Sequence, residues 1–148
     1  MNWDYIAGFF DGEGSITNTR DRYRVTISQT NLQALEAIQK FAKVGFVIIV
    51  TKRQSHWKQS WVYYIAKQED MLRFLKAIAP KLVVKKELVY HAIPVLEKKV
   101  QEQKLRKKKL CWRIKKCKEL RRNGFTYRAI SKVVGIDWGY VRRLDKFK

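Results

Sequence analysis

Acidic residues are scarce in this 148-residue chain: 13 Asp and Glu stand against 33 Lys and Arg, a formal net charge of +20. A deficit of that size excludes cationic partners and draws the protein toward a polyanion, whether nucleic acid, an anionic membrane surface or an acidic protein. Long apolar runs are also missing. The longest uncharged one, Val44 to Val50, falls far short of the roughly 20 residues a membrane-spanning helix needs, so no membrane partner is expected. Cys111 and Cys117, six positions apart in a Lys/Arg-rich stretch, suit neither a disulfide framework nor a zinc knuckle. Met1-Asn2-Trp3-Asp4 lacks the basic and apolar regions of a secretory leader. Reduced thiols and an intracellular place beside DNA or RNA are therefore expected, not secretion. The two histidines, His56 and His91, fall in a loop and in a helix, and read as a phosphate contact and a packing residue rather than a catalytic pair.

What is present is core-forming residue. At 46% hydrophobic the chain is not a disordered one, and it carries no internal repeat. Asn2 can cap a helix bearing Trp3, Ile6, Ala7, Phe9 and Phe10, which the glycines Gly12 and Gly14 end. Ser15 to Arg20 and Tyr23 to Gln29 read as strands joined at Asp21-Arg22. In the second strand Tyr23, Val25 and Ile27 alternate with Arg24, Thr26 and Ser28, one face apolar and the other hydrogen-bonding. Thr30 or Asn31 caps a helix with Leu32, Leu35, Ile38, Phe41 and Ala42 at helical spacing. Strands follow over Phe46 to Lys52 and Trp61 to Lys67, then a helix with Met71, Leu72, Leu75 and Ile78 stopped by Pro80, and another helix from near Val84.

The order α-β-β-α-β-β-α implies an α+β fold, in which a four-stranded antiparallel sheet has helices on one face and leaves the other open. The chain divides into a core over 1–96, a basic helical spacer over 97–123 and a short helical tail over 124–148. An open face carrying Arg, Thr and Ser, in a chain of this charge, suits the major groove of DNA.

The first helix ends in IAGFFDGEG, Ile6 to Gly14. Unpaired carbonyls and the negative end of the helix dipole meet two carboxylates there, Asp11 and Glu13. A cation compensates such a cluster, and hard oxygen ligands suit Mg²⁺. Taken alone, Asp11-Gly12 fits a solvated turn equally well; an EF-hand loop is excluded because no matching ligand series follows. Ala7 and Gly8 have almost no side chain, which allows a second helix to approach closely.

IAGFFDGEG, followed by β-β-α-β-β-α, resembles the signature of the LAGLIDADG homing endonucleases over about the first 95 residues. The resemblance implies a metal-dependent phosphodiester hydrolase cutting both strands of a long DNA target. It assigns metal binding to Glu13 and to the carbonyl of Gly12, with Glu where many members carry Asp. It makes Asp11 a helix-end support, and Ile6, Ala7, Gly8, Phe9 and Phe10 the packing face between paired helices. Gln29, at the end of the second strand, takes the role of orienting the attacking water, with Gln33 one helical turn on assisting it. Lys85, after Pro80, completes the water network, with Lys86 as the alternative. The implied cofactor is Mg²⁺ or another hard divalent cation, Mn²⁺, or Ca²⁺ in a non-cleaving complex. A single motif implies a homodimer on a roughly palindromic, intron-insertion-type target.

Thr17, Thr19, Arg24, Thr26 and Ser28 are the expected base or phosphate readers on double-stranded DNA, with Arg20, Arg22, Val62, Tyr64 and the Lys52, Arg53, Lys58 loop reaching the flanks. Two binding roles on the same scaffold compete with cleavage: an RNA maturase, with intron RNA as partner, and a non-catalytic DNA-binding regulator. From Gly124 to Val141 the tail resembles a helix-turn-helix, with Ile130, Val134, Ile136, Val141 and Leu144 as its core and Gly135 at the turn. Asp137 caps a second helix that would present Trp138, Tyr140, Arg142 and Arg143 to DNA, or else the tail is a helical hairpin packed on its own core. The Lys and Arg residues between Glu97 and Asn123 lie all round the helix, which reads as a solvated, phosphate-tracking spacer.

Overall fold

The computed structural model describes residues 1–19 and 22–146, Arg22 by its backbone alone, so Arg20, an expected DNA contact, lies outside the described residues. The chain divides into two compact units, Met1–Val100 and Gln101–Lys148.

The first unit has the order read from the sequence pattern. It comprises α1 (Trp3–Glu13), β1 (Gly14–Thr19), β2 (Arg22–Gln29), α2 (Leu32–Ala42), β3 (Phe46–Ile49), β4 (Trp61–Ile65) and α3 (Gln68–Ile78). A 3-10 turn (Ala79–Lys81) and the first turns of α4 (Lys86–Arg122) follow. Caps set the helix starts. The Asn2 side chain accepts from the Tyr5 N–H at 2.9 Å and Asn31 from the Ala34 N–H at 3.2 Å, each worth about 1 kcal/mol. Asn31, not Thr30, is therefore the cap of α2.

The sheet is antiparallel throughout, in the order β1-β2-β4-β3. Strand alternation sends Val25, Ile27, Tyr63 and Ile65 inward to a core shared with Ile6 and Phe10 of α1, Leu35 and Ile38 of α2, Phe74 and Leu75 of α3, and Val89 and Leu96 of α4. Burial of each large side chain stabilises the fold by about 1.5–3 kcal/mol. The Tyr63 hydroxyl, carried deep into this core, is satisfied: it donates to the Val44 carbonyl at 2.6 Å.

Several boundaries differ from the sequence reading. Arg22 belongs to β2, paired with Thr19, instead of to a turn. β3 and β4 end at Ile49 and Ile65, earlier than Lys52 and Lys67. α4 begins at Lys86 and not near Val84, because the N–H groups before it are engaged elsewhere, as described below. Pro94 removes one backbone donor from α4 without ending it.

The second unit is formed by the last turns of α4, α5 (Tyr127–Val134) and α6 (Trp138–Asp145). Cys117 and Leu120 are buried with Ile130, Val134, Val141 and Leu144. The end of the expected spacer is thus a core helix of this unit; the run exposed all round is 101–112. A two-helix tail has too little apolar surface to close a core by itself, and α4 supplies the third wall. Burial pushes the Cys117 thiol above its ordinary range. Among the described residues no helix is long and apolar enough to cross a membrane.

Gly14, where α1 gives way to β1, has ordinary extended dihedrals, φ −80° and ψ 153°. Its lack of a side chain answers a different demand. A Cβ there would overlap the ring of Phe10, which is fully buried and cannot swing aside. Gly14→Ala is therefore expected to destabilise the first unit by about 1–3 kcal/mol through overpacking. A urea titration checks this; an unchanged midpoint would show that the Phe10 ring is free to move.

Candidate active site and nucleic-acid face

The candidate site gathers at the C-terminal end of α1. The last carbonyls of any helix lack intrahelical donors. Here the Gly14 N–H reaches the Phe10 carbonyl, and the Lys85 ammonium donates to the carbonyls of Phe10, Asp11 and Gly12 at 3.1, 2.6 and 3.4 Å. The Asp11 side chain points the other way. Its Oδ2 accepts from the N–H groups of Val83 at 2.7 Å and Val84 at 3.2 Å, and its Oδ1 from that of Lys85 at 2.9 Å. Those three donors precede α4, and the Lys85 carbonyl accepts the first helical bond, from the Val89 N–H. Asp11 therefore caps the start of α4 while Lys85 caps the end of α1. Each charge sits at the helix end whose dipole favours it.

Burial raises the Asp11 pKa, but the backbone donors and the Lys85 charge together outweigh it, and the carboxyl is held below its usual value. A second tie joins the other end of α1 to the same chain segment: Lys81 donates to Asp4 at 2.5 Å, and this bond lowers the Asp4 pKa.

Glu13, the last residue of α1, is exposed and has no ion-pair or hydrogen-bond partner among the described residues. With Asp11 turned inward and Lys85 spent on carbonyls, one carboxylate is left free at a negative helix end. The donor set available to an ion is the Glu13 carboxylate with the Gly12 carbonyl, hard oxygens that fit Mg²⁺ or Ca²⁺. Among the described residues no three acidic, His or Cys side chains converge. One chain by itself therefore brings together fewer than three such ligands among the described residues.

Gln29 closes β2 two residues beyond Ile27, the partner of Gly14, so it lies at the same end of the sheet as Glu13. Its Oε1 accepts from the Thr30 N–H at 2.8 Å and the Thr30 hydroxyl at 3.3 Å, which leaves its NH₂ uncommitted. Gln33 is exposed on the first turn of α2. Lys86 is exposed at the start of α4.

The expected helix-pairing face needs correction. Ile6, Ala7 and Phe10 are 0% exposed within the chain itself, because the periodicity that placed them on one stripe turns that stripe to the core. Of the five residues only Gly8 is exposed and Phe9 partly so. The outward face of α1 is instead Tyr5, Gly8, Phe9 and Gly12, with the Tyr5 and Phe9 rings stacked 5.9 Å apart. Nothing lies within 4 Å of where a Cβ would stand on Gly8 or Gly12.

The open sheet face carries the expected readers. Thr17 and Thr19 stand opposite Arg24 and Arg22, and Thr26 and Ser28 stand opposite Tyr64 and Val62. Ser15, paired with Thr26, is a further outward residue; its alternation with Thr17 and Thr19 was the available signal. Phe46 and Ile48 pair with Tyr64 and Val62, so the face grades from hydroxyl and guanidinium groups on β1 and β2 to apolar groups on β4 and β3. Lys52, Arg53 and Lys58 are exposed in the loop between β3 and β4, which contains no acidic residue. In the second unit Trp138, Arg142 and Arg143 are exposed, whereas Tyr140 is partly buried against the unit's core and is not fully presented.

The LAGLIDADG-like domain family matches residues 3–79. No curated protein matches the chain by sequence. Among solved structures, the homing endonuclease I-CvuI in complex with its target in the presence of Ca is similar at TM-score 0.53 and 19% identity, over 96% of this chain and 90% of that one. A second I-CvuI complex, in Mg with uncleaved DNA, matches at TM-score 0.50 and 18% identity over 64% of this chain and 65% of that one, a little under two thirds of its length. The archaeal intron-encoded homing endonuclease I-Vdi141I, complexed with DNA, matches at TM-score 0.53 and 20% identity over 96% and 92%. The LAGLIDADG meganuclease I-AabMI, bound to uncleaved DNA, matches at TM-score 0.53 and 26% identity over 66% of this chain and 38% of that one.

The Asp11 bonds generate a pH-dependent expectation. Asp11→Asn should lower stability at neutral pH by about 1–3 kcal/mol, the range for hydrogen bonds to a charged group. A depressed carboxyl pKa contributes stability above the ordinary value of 3.8 and loses it as pH falls through the folded value. The variant's stability should therefore fall less between neutral pH and pH values below 3.8, as followed by urea titrations. Parallel acid dependences would show that the bonds do not hold in solution.

Proposed function

The chain belongs to the LAGLIDADG-like domain family, and from that premise we propose that it is a site-specific endonuclease that hydrolyses both strands of double-stranded DNA as a homodimer with a hard divalent cation. The observation that carries this reading is Glu13: a free carboxylate at a capped helix end, on the rim of an outward face of Thr, Ser and Arg side chains. A purely structural helix end has no use for an unpaired acid where its dipole is negative. Solved relatives in complex with DNA, in the presence of Mg or Ca, support the substrate class and the kind of ion.

Each residue's work follows from its place. Glu13 and the Gly12 carbonyl would hold the ion, whose chemistry when bound would be to lower the pKa of a water and to offset charge on the scissile phosphate. Lys85 keeps the α1 carbonyls in fixed directions, and so acts as a positioning residue for the Gly12 oxygen. Gln29, at the end of β2, orients water or phosphate through its amide, and Gln33 on the first turn of α2 assists it. β1 and β2 read base edges or phosphates through Thr17, Thr19, Arg24, Thr26 and Ser28. The flat outward surface at Gly8 and Gly12 seats the same surface of a second copy. That brings two Glu13 sites to the two strands of a roughly palindromic target.

Binding without cleavage, to DNA or to intron RNA, is the alternative, and Glu13 separates the two. Glu13→Gln is expected to reduce cleavage of a selected target in Mg²⁺ by at least about 10³-fold while DNA affinity measured in Ca²⁺ changes only a few-fold. Unaltered cutting by the variant would reject the active-site assignment, and absence of cutting by the natural chain on any selected site would favour the binding role.

The dimer surface has its own test. Gly8→Leu meets no neighbour within one chain and raises helix propensity by about 0.8–1 kcal/mol. It should therefore leave the subunit folded or slightly more stable, yet give a monomer by sedimentation and abolish double-strand cutting. A variant that remains dimeric and active would place the contact elsewhere.

A further inference from the structure

The family match stops at residue 79, short of the unit Gln101–Lys148, while the structural likeness to I-CvuI and I-Vdi141I extends over 96% of the chain and assigns that unit no task. That unit holds 17 Lys and Arg against four Asp and Glu. The four acids are all engaged within the unit. Glu102 pairs with Arg106, Glu119 with Lys116 at 2.8 Å, and Asp145 with Arg121 while accepting from the Tyr127 hydroxyl at 3.0 Å. Asp137 caps α6 by accepting from the N–H groups of Gly139 at 2.8 Å and Tyr140 at 3.1 Å.

The positive charge is not consumed in the same way. Arg128, Lys132 and Arg142 are exposed and have no carboxylate partner among the described residues, and Arg143 is held over the Tyr140 ring, 5.3 Å from its centroid. The geometry is that of a helix presented for reading. Three residues, Gly135 to Asp137, separate α5 from α6. Gly135 adopts φ +66° and the Ser131 hydroxyl donates to the Ile136 carbonyl at 2.6 Å, which fixes the turn. Val141 and Leu144 turn one side of α6 into the core with Ile130 and Val134 of α5. The opposite side exposes Trp138, Arg142, Arg143 and Lys146.

We propose that this unit is a second, metal-independent duplex-DNA-binding module, with α6 entering the major groove through Trp138, Arg142 and Arg143, and Arg128 and Lys132 of α5 on flanking phosphates. A lone helix fits the wide major groove of B-form DNA, with Arg as the residue that pairs bidentately with guanine. The deep, narrow major groove of A-form RNA does not admit it. The inference stands apart from cleavage by the first unit, because it needs neither Glu13 nor a cation. Joined in one chain, the two sites raise each other's effective concentration, so losing one costs the whole chain more than its own contacts.

The test uses the full chain in EDTA, with binding measured against mixed-sequence duplex DNA and duplex RNA of the same sequence over a range of salt. The variant Trp138→Ala/Arg142→Ala/Arg143→Ala alters exposed residues only, and thermal melting verifies its fold. It is expected to bind duplex DNA about 10²-fold more weakly, whereas Arg128→Ala/Lys132→Ala, which removes the phosphate contacts, is expected to reduce the log–log salt slope by about 2. Arg142→Lys/Arg143→Lys should keep the salt slope but lose part of the affinity, since an ammonium cannot replace a bidentate guanidinium. A folded triple variant with unchanged affinity would overturn the proposal and leave the unit structural. A natural chain that binds RNA as well as DNA, with the larger loss on RNA, would overturn it in favour of RNA binding. Because binding is read in EDTA, the result for the triple variant does not depend on whether the natural chain or Glu13→Gln cuts DNA, and either reading can fail while the other stands.

Discussion

Two oppositely charged side chains cross between two helix ends: Asp11, from the last turns of α1, caps the backbone that opens α4, and Lys85, from that backbone, caps the carbonyls that close α1. Each end would otherwise carry unpaired groups and an uncompensated dipole. The exchange satisfies both, and it fixes the direction in which the Gly12 carbonyl points. It also engages the Asp11 carboxylate, so that of the two acids in the motif only Glu13 is left without a partner among the described residues. The chemistry assigned to the site depends on that sorting. A motif with two carboxylates becomes one structural acid and one available ligand, separated by a single residue.

Around this clasp the sheet supplies the rest. Strict alternation along β2 and β4 places an apolar core behind the sheet and an open face of hydroxyl, guanidinium and aromatic groups in front of it. Gly14 lets α1 pass into β1 over the Phe10 ring without displacement, so the helix end and the sheet rim are separated by no loop. A site on regular elements is held more tightly than one on a mobile connection. The outer face is uneven: Ser15, Thr17, Arg24 and Thr26 at one side are hydrogen-bonding, whereas Phe46, Ile48, Val62 and Tyr64 at the other present apolar surface of the kind thymine methyls contact.

Local signals in the chain were enough to read the elements. Asn2 and Asn31 announce their helices by cap chemistry, and Tyr23 to Gln29 announces a half-buried strand by its period of two. What involved two distant segments was less legible. Nothing local tells that Asp11 reaches Val83 to Lys85, seventy residues on; only the family resemblance pointed to Lys85, and for a different task. Ile6, Ala7 and Phe10 illustrate a second limit. A stripe of apolar and small residues looks the same whether it meets a partner's helix or its own core, and the core took them because a helix over a sheet must bury one side first. The end of α4 misled for a related reason. Cys117 and Leu120 are sparse among lysines and arginines, and their spacing gains meaning only once α5 and α6 are folded beside them. Arg22 and the short β3 shifted boundaries by a few residues, where hairpin ends and strand ends are set by pairing rather than by composition.

The central claim is that the clasp leaves Glu13 and the Gly12 carbonyl as the chain's own ligands for a divalent cation at DNA. Anomalous diffraction from a DNA complex grown with Mn²⁺ tests it most directly. The account requires one manganese per subunit within coordination distance, about 2–2.5 Å, of a Glu13 carboxylate oxygen and the Gly12 carbonyl oxygen, beside a phosphate, with Asp11 still bonded to the Val83–Lys85 backbone. Manganese bound elsewhere, or an ion held by Asp11 while Glu13 lies far from any phosphate, would contradict it.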